Sequence, residues 1–529
     1  MPDLAPAASD CILAVDLGSG GPKVALVRAD GQILAHAKRS IATHFVGNGG
    51  VEQDPQEWYL AIRDAAREVL SKGLVPIEQI LAVSGTGQWS VTVPVDQDGK
   101  PLMRAVHWLD TRGAPYTHAL TRGWIKVAGY GLTRLLGWLQ LTRGVPTHSG
   151  ADVLAHILFL KHQRPEIYRA AFKLLEPIDY LNLQLCGRAC ASYASVFPYL
   201  LTDNRDPRHI DYAPRLLRWS GVDRQKLPDL IPVQSVVGTI RPEMAAEWGL
   251  APGTKIISST GDSQAAVLGS GAVADLDAHI CIGTSSWMTC HVPWGKTDIF
   301  RYLATMPAAL SGRNMVVAEL LAAGKCVEQM VERWFFPGPL AADPDVAYAE
   351  FEQLAESVAP GSDGLIFLPW LNGAGPPTGD PQARGGFVNQ SLLTTRAHAC
   401  RAVLEGVSYN MRWLLGAFER FIGREVPSLR FIGGGARMNV WCQILADVLD
   451  RPIHQVAEPT LAIVRGAGFS GWLALGRLQA EDIPGCVQVD RTFTPRSQYR
   501  QRYDELFAAF LRYYQVQKPI LARLQAAAR

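Results

Sequence analysis

Apolar and polar positions alternate in short blocks along the first ninety residues, and the period switches from two to that of a helix and back. CILAV at 11–15, PKVALV at 22–27 and QILAHA at 32–37 each predict a short strand, closed by a glycine-rich turn at 18–21 and by Asp30-Gly31. Asp54-Pro-Gln-Glu57 carries the marks of a helix start: Asp54 can cap, Pro55 suits the first helical position, and Glu57 is placed to reach back in a capping box. Trp58, Ile62, Ala65 and Val69 then share one face, which predicts an amphipathic helix. ILAVSGTGQWS at 80–90 follows as a strand running into a small-residue turn, Gly85 to Ser90. Strands alternating with helices imply an α/β layer architecture.

The pattern returns in the second half. HICIGTSSWMTCH at 279–291 is strand, Gly-Thr-Ser-Ser turn and strand; RFIGGGARMNVWCQILADVL at 430–449 is strand, triple-glycine turn and a helix with Val440, Ile444, Leu445 and Val448 on one face. Between them, Ala402 to Ile422 predicts a long amphipathic helix through Val403, Val407, Leu414 and Phe418. Two divergent copies of one plan predict two lobes about a cleft, with a boundary in the Pro/Gly-containing stretch near 250–260. Phe507, Phe510, Leu511 and Tyr514 make one apolar face of a closing helix docked on the second lobe; a partner-binding helix is the weaker reading.

Composition narrows the class. The 529 residues suffice for two well-buried cores, and a net charge of +2 gives no electrostatic case for nucleic acid. The first ten residues lack the basic start and apolar run of a secretory signal, and no apolar stretch approaches the roughly 20 residues of a membrane span. Nine scattered cysteines without a CxxC argue against zinc or a disulfide framework and fit a reducing, cytoplasmic setting. Residues 111–151 lack Asp and Glu and interleave Arg112, Arg122, Lys126, Arg134 and Arg143 with Trp124, Tyr130 and Trp138. An elaboration packed on the first lobe is the favoured reading there, over a surface for an anion, a subunit or a membrane.

DLGSGGPK at 16–23 holds more chemistry than a hairpin needs. Glycines bring backbone N–H groups close to an anion, so the turns at 18–21 and 283–286 can hold successive phosphates from opposite lobes. Ser19 and Thr284 add hydroxyls, Lys23 a positive charge, and Asp16 a carboxylate for hydrated Mg2+; the set suits a triphosphate. GxxxxGK[ST] is absent, and the GxGxxG at 466–471 reads better as close helix packing than as a dinucleotide site. Asp262, at the end of a strand in STGDSQAA, is either a helix cap or a general base facing a hydroxyl that attacks a γ-phosphate. Catalysis would otherwise rest on positioning and charge neutralisation, with lobe closure excluding water.

With these residues in place the chain resembles the FGGY carbohydrate kinases, most nearly their xylulokinase-like branch, from about residue 11 to 515. The elements that carry the likeness are DLGSGGPK at 16, SGTGQWS at 84, HWLDTR at 107, PIDYLN at 177, GDSQAA at 261, IGTSSW at 282, FLPWLNG at 367, RAVLEGVSYN at 401 and FIGGGARMNVWCQ at 431. The resemblance implies two ribonuclease-H-like, actin-like ATPase lobes, at 10–255 and 256–515 with a tail at 516–529, and ATP-dependent phosphorylation of a sugar or polyol hydroxyl. It implies that Asp16 organises Mg2+ and that Asp262 is the base. Gly18, Ser19, Lys23, Gly283 and Thr284 would meet phosphates, Gly434, Gly435 and Asn439 the adenosine. Gln88, Trp89, Ser90, Asp110 and Ser263 would lie at the sugar. Partners are then a small-molecule sugar or polyol, no nucleic acid and, at most, a second copy in a homodimer.

This chain departs from the branch where the branch has Gln-Met-His and this chain Gln88-Trp89-Ser90, where an Asn follows the base and Ser263 stands here, and where a lysine aligns with His156, a Gly with Asn389 and GERTPH with 373–378. Divergence at the sugar with phosphate and base positions kept argues for a working kinase of altered specificity and against D-xylulose as its acceptor. The alternatives are an inactive nucleotide-binding scaffold of the same fold and a protein acting on a membrane or complex through 111–151.

Overall fold

The structure, a computed structural model, describes residues 9–283, 285–320, 322–335 and 344–527. β1 (Cys11–Gly18) and β2 (Gly21–Val27) form a hairpin with Gly18 opposite Gly21, and β3 (Ile33–Lys38) adds to it antiparallel. Gly21 turns with φ +133°, and a Cβ there would lie 2.1 Å from the Arg39 carbonyl, so no other residue closes this turn. α1 (Pro55–Ser71) starts at Asp54, whose carboxylate accepts from the Gln56 N–H. The expected capping box is corrected: Glu57 accepts from the Ala42 N–H at 3.1 Å, reaching the incoming chain rather than its own cap.

β4 (Ile80–Gly87) lies parallel beside β1; β5 (Val236–Thr239), β6 (Lys255–Ile257) and β7 (Thr260–Gly261) complete the first sheet in the order β5-β6-β4-β1-β2-β3, with β7 continuing along β4. β4 runs on through Gly85, Thr86 and Gly87, where the sequence places the start of a turn. α2 (Asp262–Ser270) follows directly.

The second sheet repeats the plan: β8 (Ala278–Ile282), β9 (Ser286–Val292), β10 (Thr297–Asp298), β11 (Leu303–Pro307) and β12 (Asn314–Leu320) form an antiparallel set in which β9 pairs with β8 and β12, and two strands parallel to β8 and an antiparallel edge strand follow. After α3 (Arg396–Ile422) come β13 (Leu429–Ile432), α4 (Asn439–Leu449), β14 (Ile453–Val456), α5 (Ala462–Ala474), β15 (Val489–Phe493) and α6 (Arg500–Ala527). The order is β10-β11-β12-β9-β8-β13-β14-β15. In both sheets a hairpin strand is followed by parallel neighbours, as two copies of one plan require.

α2 and α5 join the sheets. Ala462, Phe469 and Ala266 pack with Cys281 and Ile432 of the second sheet, while Val464 and Ala467 pack with Ala14, Ala25 and Val27 of the first. The helices touch backbone to backbone: a Cβ at Gly466 would sit 1.9 Å from the Ala265 carbonyl and one at Gly269 1.7 Å from that of Ala462. Residues 466–471 are thus a helix-packing face, as the sequence suggests. In α6, Phe510 and Tyr514 are buried against Trp370 and Trp413, which docks this helix on the second lobe, and it runs on without a break through residue 527.

Much of 111–151 packs on the first lobe, in a third core with Trp138 fully buried. Arg112 is ion-paired with Asp110 and Glu52 and covers Phe159, and Arg134 covers Trp219. Trp124 remains exposed. No helix among the described residues is long and apolar enough to cross a membrane, and all nine cysteines are free.

Candidate active site

Three parallel strand ends bring the first set of groups together. Asp16 on β1 stands opposite Thr86 on β4, which stands opposite Thr260 on β7, so Asp262 follows two residues beyond this row, at the first position of α2. Ligands of parallel sheets gather at such carboxyl ends. Asp16 is buried; its Oδ2 accepts from Lys23 Nζ at 3.3 Å, while Oδ1 has no hydrogen-bond partner among the described residues.

The Asp262 acid is pushed up to about 7, first by burial and then by the nearby Asp16 carboxylate. The Ser263 N–H, donating to Asp262 Oδ1 at 2.6 Å, and Lys23 act the other way. Glu319, from β12 of the second sheet, also repels the Asp262 charge and accepts from Ser285. The thiol of Cys281, at the end of β8, is raised mainly by burial and feels Asp262, Lys23 and Asp16 too, so the ends of both sheets meet at one place. A carboxyl titrating near neutrality beside a second carboxylate suits a general base, and a buried, unpartnered oxygen on Asp16 fits a divalent cation.

The glycines divide by what surrounds them. An ideal Cβ at Gly20, Gly283 or Gly434 meets nothing within 4 Å, and none of the three has a left-handed φ, so the protein's own packing does not require glycine there. Bare backbone of this kind fits a phosphate chain lying against it. Gly18 makes only ordinary contact with Gly21. Gly433 and Gly435 are demanded by packing: a Cβ at Gly433, φ +90°, would lie 2.5 Å from the Ile282 carbonyl, and one at Gly435 3.0 Å from Ile282 and Trp441. Since Cys281 pairs with Ile432, the Gly283 turn and the triple-glycine turn are neighbours. Asn439 opens α4 and accepts from Gln455 Nε2 at 3.2 Å. Thr284 lies outside the described residues.

Just beyond β4, Gln88 is buried, with its backbone N–H on the Leu17 carbonyl, its side-chain Nε2 on Gln53 and its Oε1 unpartnered among the described residues. Trp89 is half-buried, stacks on Phe197 at 5.8 Å and lies 3.1 Å from where a Cβ of Gly261 would be, so an indole wall stands beside the segment that leads into Asp262. Ser90 takes φ +58°, and the buried Glu176, its acid raised well above the usual range by desolvation, accepts from the next N–H, that of Val91. Ser263 is buried in α2. Asp110 is fully buried, and both oxygens are engaged: Oδ1 accepts from the Arg112 N–H, Oδ2 from the Val51 N–H and the Arg112 guanidinium.

Several contributors are given no role by the sequence, although two of them, Trp108 and Asp179, lie in HWLDTR and PIDYLN. Gln53 and Trp108 bond the Ser19 turn from distant segments, and Asp179 accepts from Ser195 and Ser259 just before β7. His107 and His156, both with pKa lowered to about 4 chiefly by burial, are neutral core residues, and His156 bonds Thr92. Asn389 stands at φ +65°, a conformation Gly or Asn adopts readily, which explains its substitution for glycine.

Residues 11–269 match the FGGY family of carbohydrate kinases, N-terminal domain, and residues 278–469 its C-terminal domain. The chain is 25% identical over 524 residues to a xylulose kinase of Staphylococcus epidermidis, covering 97% of this chain and 98% of that one. It is 24% identical to a gluconokinase of Bacillus subtilis, with 94% of each covered, and 28% identical to a glycerol kinase of Citrifermentans bemidjiense, with 94% and 96% covered. The solved gluconate kinase of Lactobacillus acidophilus superposes with a TM-score of 0.83 at 20% identity, over 97% of this chain and 99% of that one. The fold is the two-lobed actin-like ATPase fold, and the chain belongs to the FGGY family of carbohydrate kinases, which are ATP-dependent phosphotransferases.

Proposed function

We propose that this kinase phosphorylates one hydroxyl of a neutral ketose or polyol, with Asp262 as general base and Mg2+ held at Asp16. The observation that carries the reading is the placing of Asp262, its acid raised to about 7, near a carboxylate whose second oxygen has no partner among the described residues, at the ends of the two strands that flank β4. Asp262 takes the acceptor's hydroxyl proton while that oxygen forms its bond to the γ-phosphorus; the bond from the γ-phosphorus to the β,γ-bridging oxygen breaks, and ADP leaves carrying that oxygen. Ser19 and Lys23 orient and neutralise the phosphates, the bare backbone at Gly18 and Gly283 lets the phosphate chain lie close, and Gly434, Gly435 and Asn439 border the adenosine. Mg2+, when bound, would screen phosphate charge during transfer.

For the acceptor, the indole of Trp89 offers an apolar wall to the C–H face of a sugar, with Gln88, Ser90 and Ser263 around it. Arg112, the guanidinium beside Asp110, is taken up by Asp110 and Glu52 and is not offered to a sugar carboxylate. That favours a neutral acceptor over an aldonate, and Trp89-Ser90 in place of Met-His disfavours D-xylulose. ADP release from Mg·ATP, measured over D-xylulose, D-gluconate, glycerol, pentitols and other ketoses, tests this. The reading expects a neutral compound other than D-xylulose to give the highest kcat/KM. D-gluconate or D-xylulose in first place overturns the acceptor assignment.

A further inference from the structure

We propose that Gln53 is a positioning residue that couples the sugar-reading end of the site to the phosphate turn; the names of the two ends rest on the function proposed above. Gln53 closes the short strand Val51–Gln53 and is 0% exposed. Its carboxamide has two donors and two acceptor lone pairs, and all four are used. Nε2 donates to the Ser19 carbonyl at 2.9 Å and to Thr43 Oγ1 at 2.8 Å. Oε1 accepts from Trp58 Nε1 at 3.1 Å and from Gln88 Nε2 at 2.7 Å. An indole N–H can only donate and a carbonyl can only accept, so Trp58 and Ser19 each fix which end of the amide is oxygen, and with it the direction of every other bond.

The consequence is a rigid link, Gln88 to Gln53 to Ser19, between two segments that meet different ligands. Gln88 spends its N–H on Gln53, which leaves its buried Oε1 for an acceptor's hydroxyl. Ser19 is held at both ends, its carbonyl by Gln53 and its Oγ by Trp108 Nε1 at 2.9 Å. A shift of the Gln88 amide cannot be absorbed by rotation of Gln53 without breaking buried hydrogen bonds, so it is passed to the turn, and the reverse holds by reciprocity.

Hydrogen exchange of the full chain, with Mg·ADP as the only ligand, tests the coupling. Gln53→Glu keeps oxygen toward Trp58 and Gln88 but loses the donors to Ser19 and Thr43; Gln53→Met serves if the buried acid prevents folding. Trp58→Phe removes one bond of Gln53 and leaves the Gln88–Gln53–Ser19 link. In the wild type and in Trp58→Phe, Mg·ADP is expected to slow exchange at residues 17–22 and also at 84–92, by about fivefold or more at the latter. In the Gln53 variants the protection at 17–22 remains and that at 84–92 is lost. Protection at 84–92 that survives in the Gln53 variants, is absent in the wild type, or is lost as fully in Trp58→Phe overturns the proposal. No acceptor is present, so failure of the acceptor assignment leaves this result readable.

Discussion

The carboxylate of Asp16, at the end of β1, bears on Asp262 at the start of α2, and its charge adds to burial in holding the Asp262 acid at about 7. Between the ordinary value of 3.8 and about 7 the folded chain keeps a proton that the unfolded chain has released. Stability owed to this group therefore falls as pH rises through that window and is fully lost above it. Asp262→Asn has no such loss, so its melting temperature relative to wild type, without nucleotide or cation, should climb from pH 5 to pH 7 and then level. A difference that stays flat from pH 5 to pH 8 would show that burial and the Asp16 charge do not together raise the Asp262 acid as described.

Gly433 and Gly434 are adjacent and should respond oppositely. Gly433→Ala forces a side chain into φ +90° against the Ile282 carbonyl, at a cost of about 1–3 kcal/mol read by denaturant unfolding. Gly434→Val meets open space, so unfolding should be nearly unchanged while ATP affinity falls by about tenfold or more, about 1.4 kcal/mol. Unimpaired ATP binding in Gly434→Val would remove this turn from the nucleotide site.

On the function proposed above, Trp89 walls the acceptor pocket. Trp89→Met should raise kcat/KM for D-xylulose relative to the wild type's best acceptor by about 10-fold, and leave the KM for ATP within a factor of about three. Steady-state kinetics on both acceptors checks this, and a parallel loss on both would mean the indole is only a structural wall.

The crossing of α2 and α5 has no room for a methyl. Gly466→Ala should destabilise by about 1–3 kcal/mol in chemical unfolding, because its Cβ meets the Ala265 carbonyl at 1.9 Å. The same change should lower kcat, since α2 carries Asp262 at its first residue.

Local pattern carried far in this chain. The hairpin at 11–27, the capped helix from Asp54, the second strand-turn-strand at 279–291 and the repeat of the whole plan follow from period and turn chemistry, and Asp16, Asp262 and the glycine turns stand out because those residue types are costly without a reason. What period and spacing do not carry is pairing across the chain. Nothing near Gln53 says that its amide meets Ser19 and Gln88, and nothing near Asp110 says that its oxygens are taken by Val51 and Arg112. Glu57 shows the same limit: the capping-box spacing is present, but a distant N–H, that of Ala42, competes for the carboxylate. The glycines of 433–435 look alike in sequence, and only the neighbouring strand separates the two that packing needs from the one that it does not.

The most direct test of the central claim is ADP formation by Asp262→Asn beside the wild type, on the best acceptor of the panel, with ATP affinity measured on the same samples. Loss of turnover by about 10²–10⁴-fold with ATP affinity within a factor of about three is the expected result. Turnover within about tenfold of wild type would contradict the assignment of Asp262 as the base.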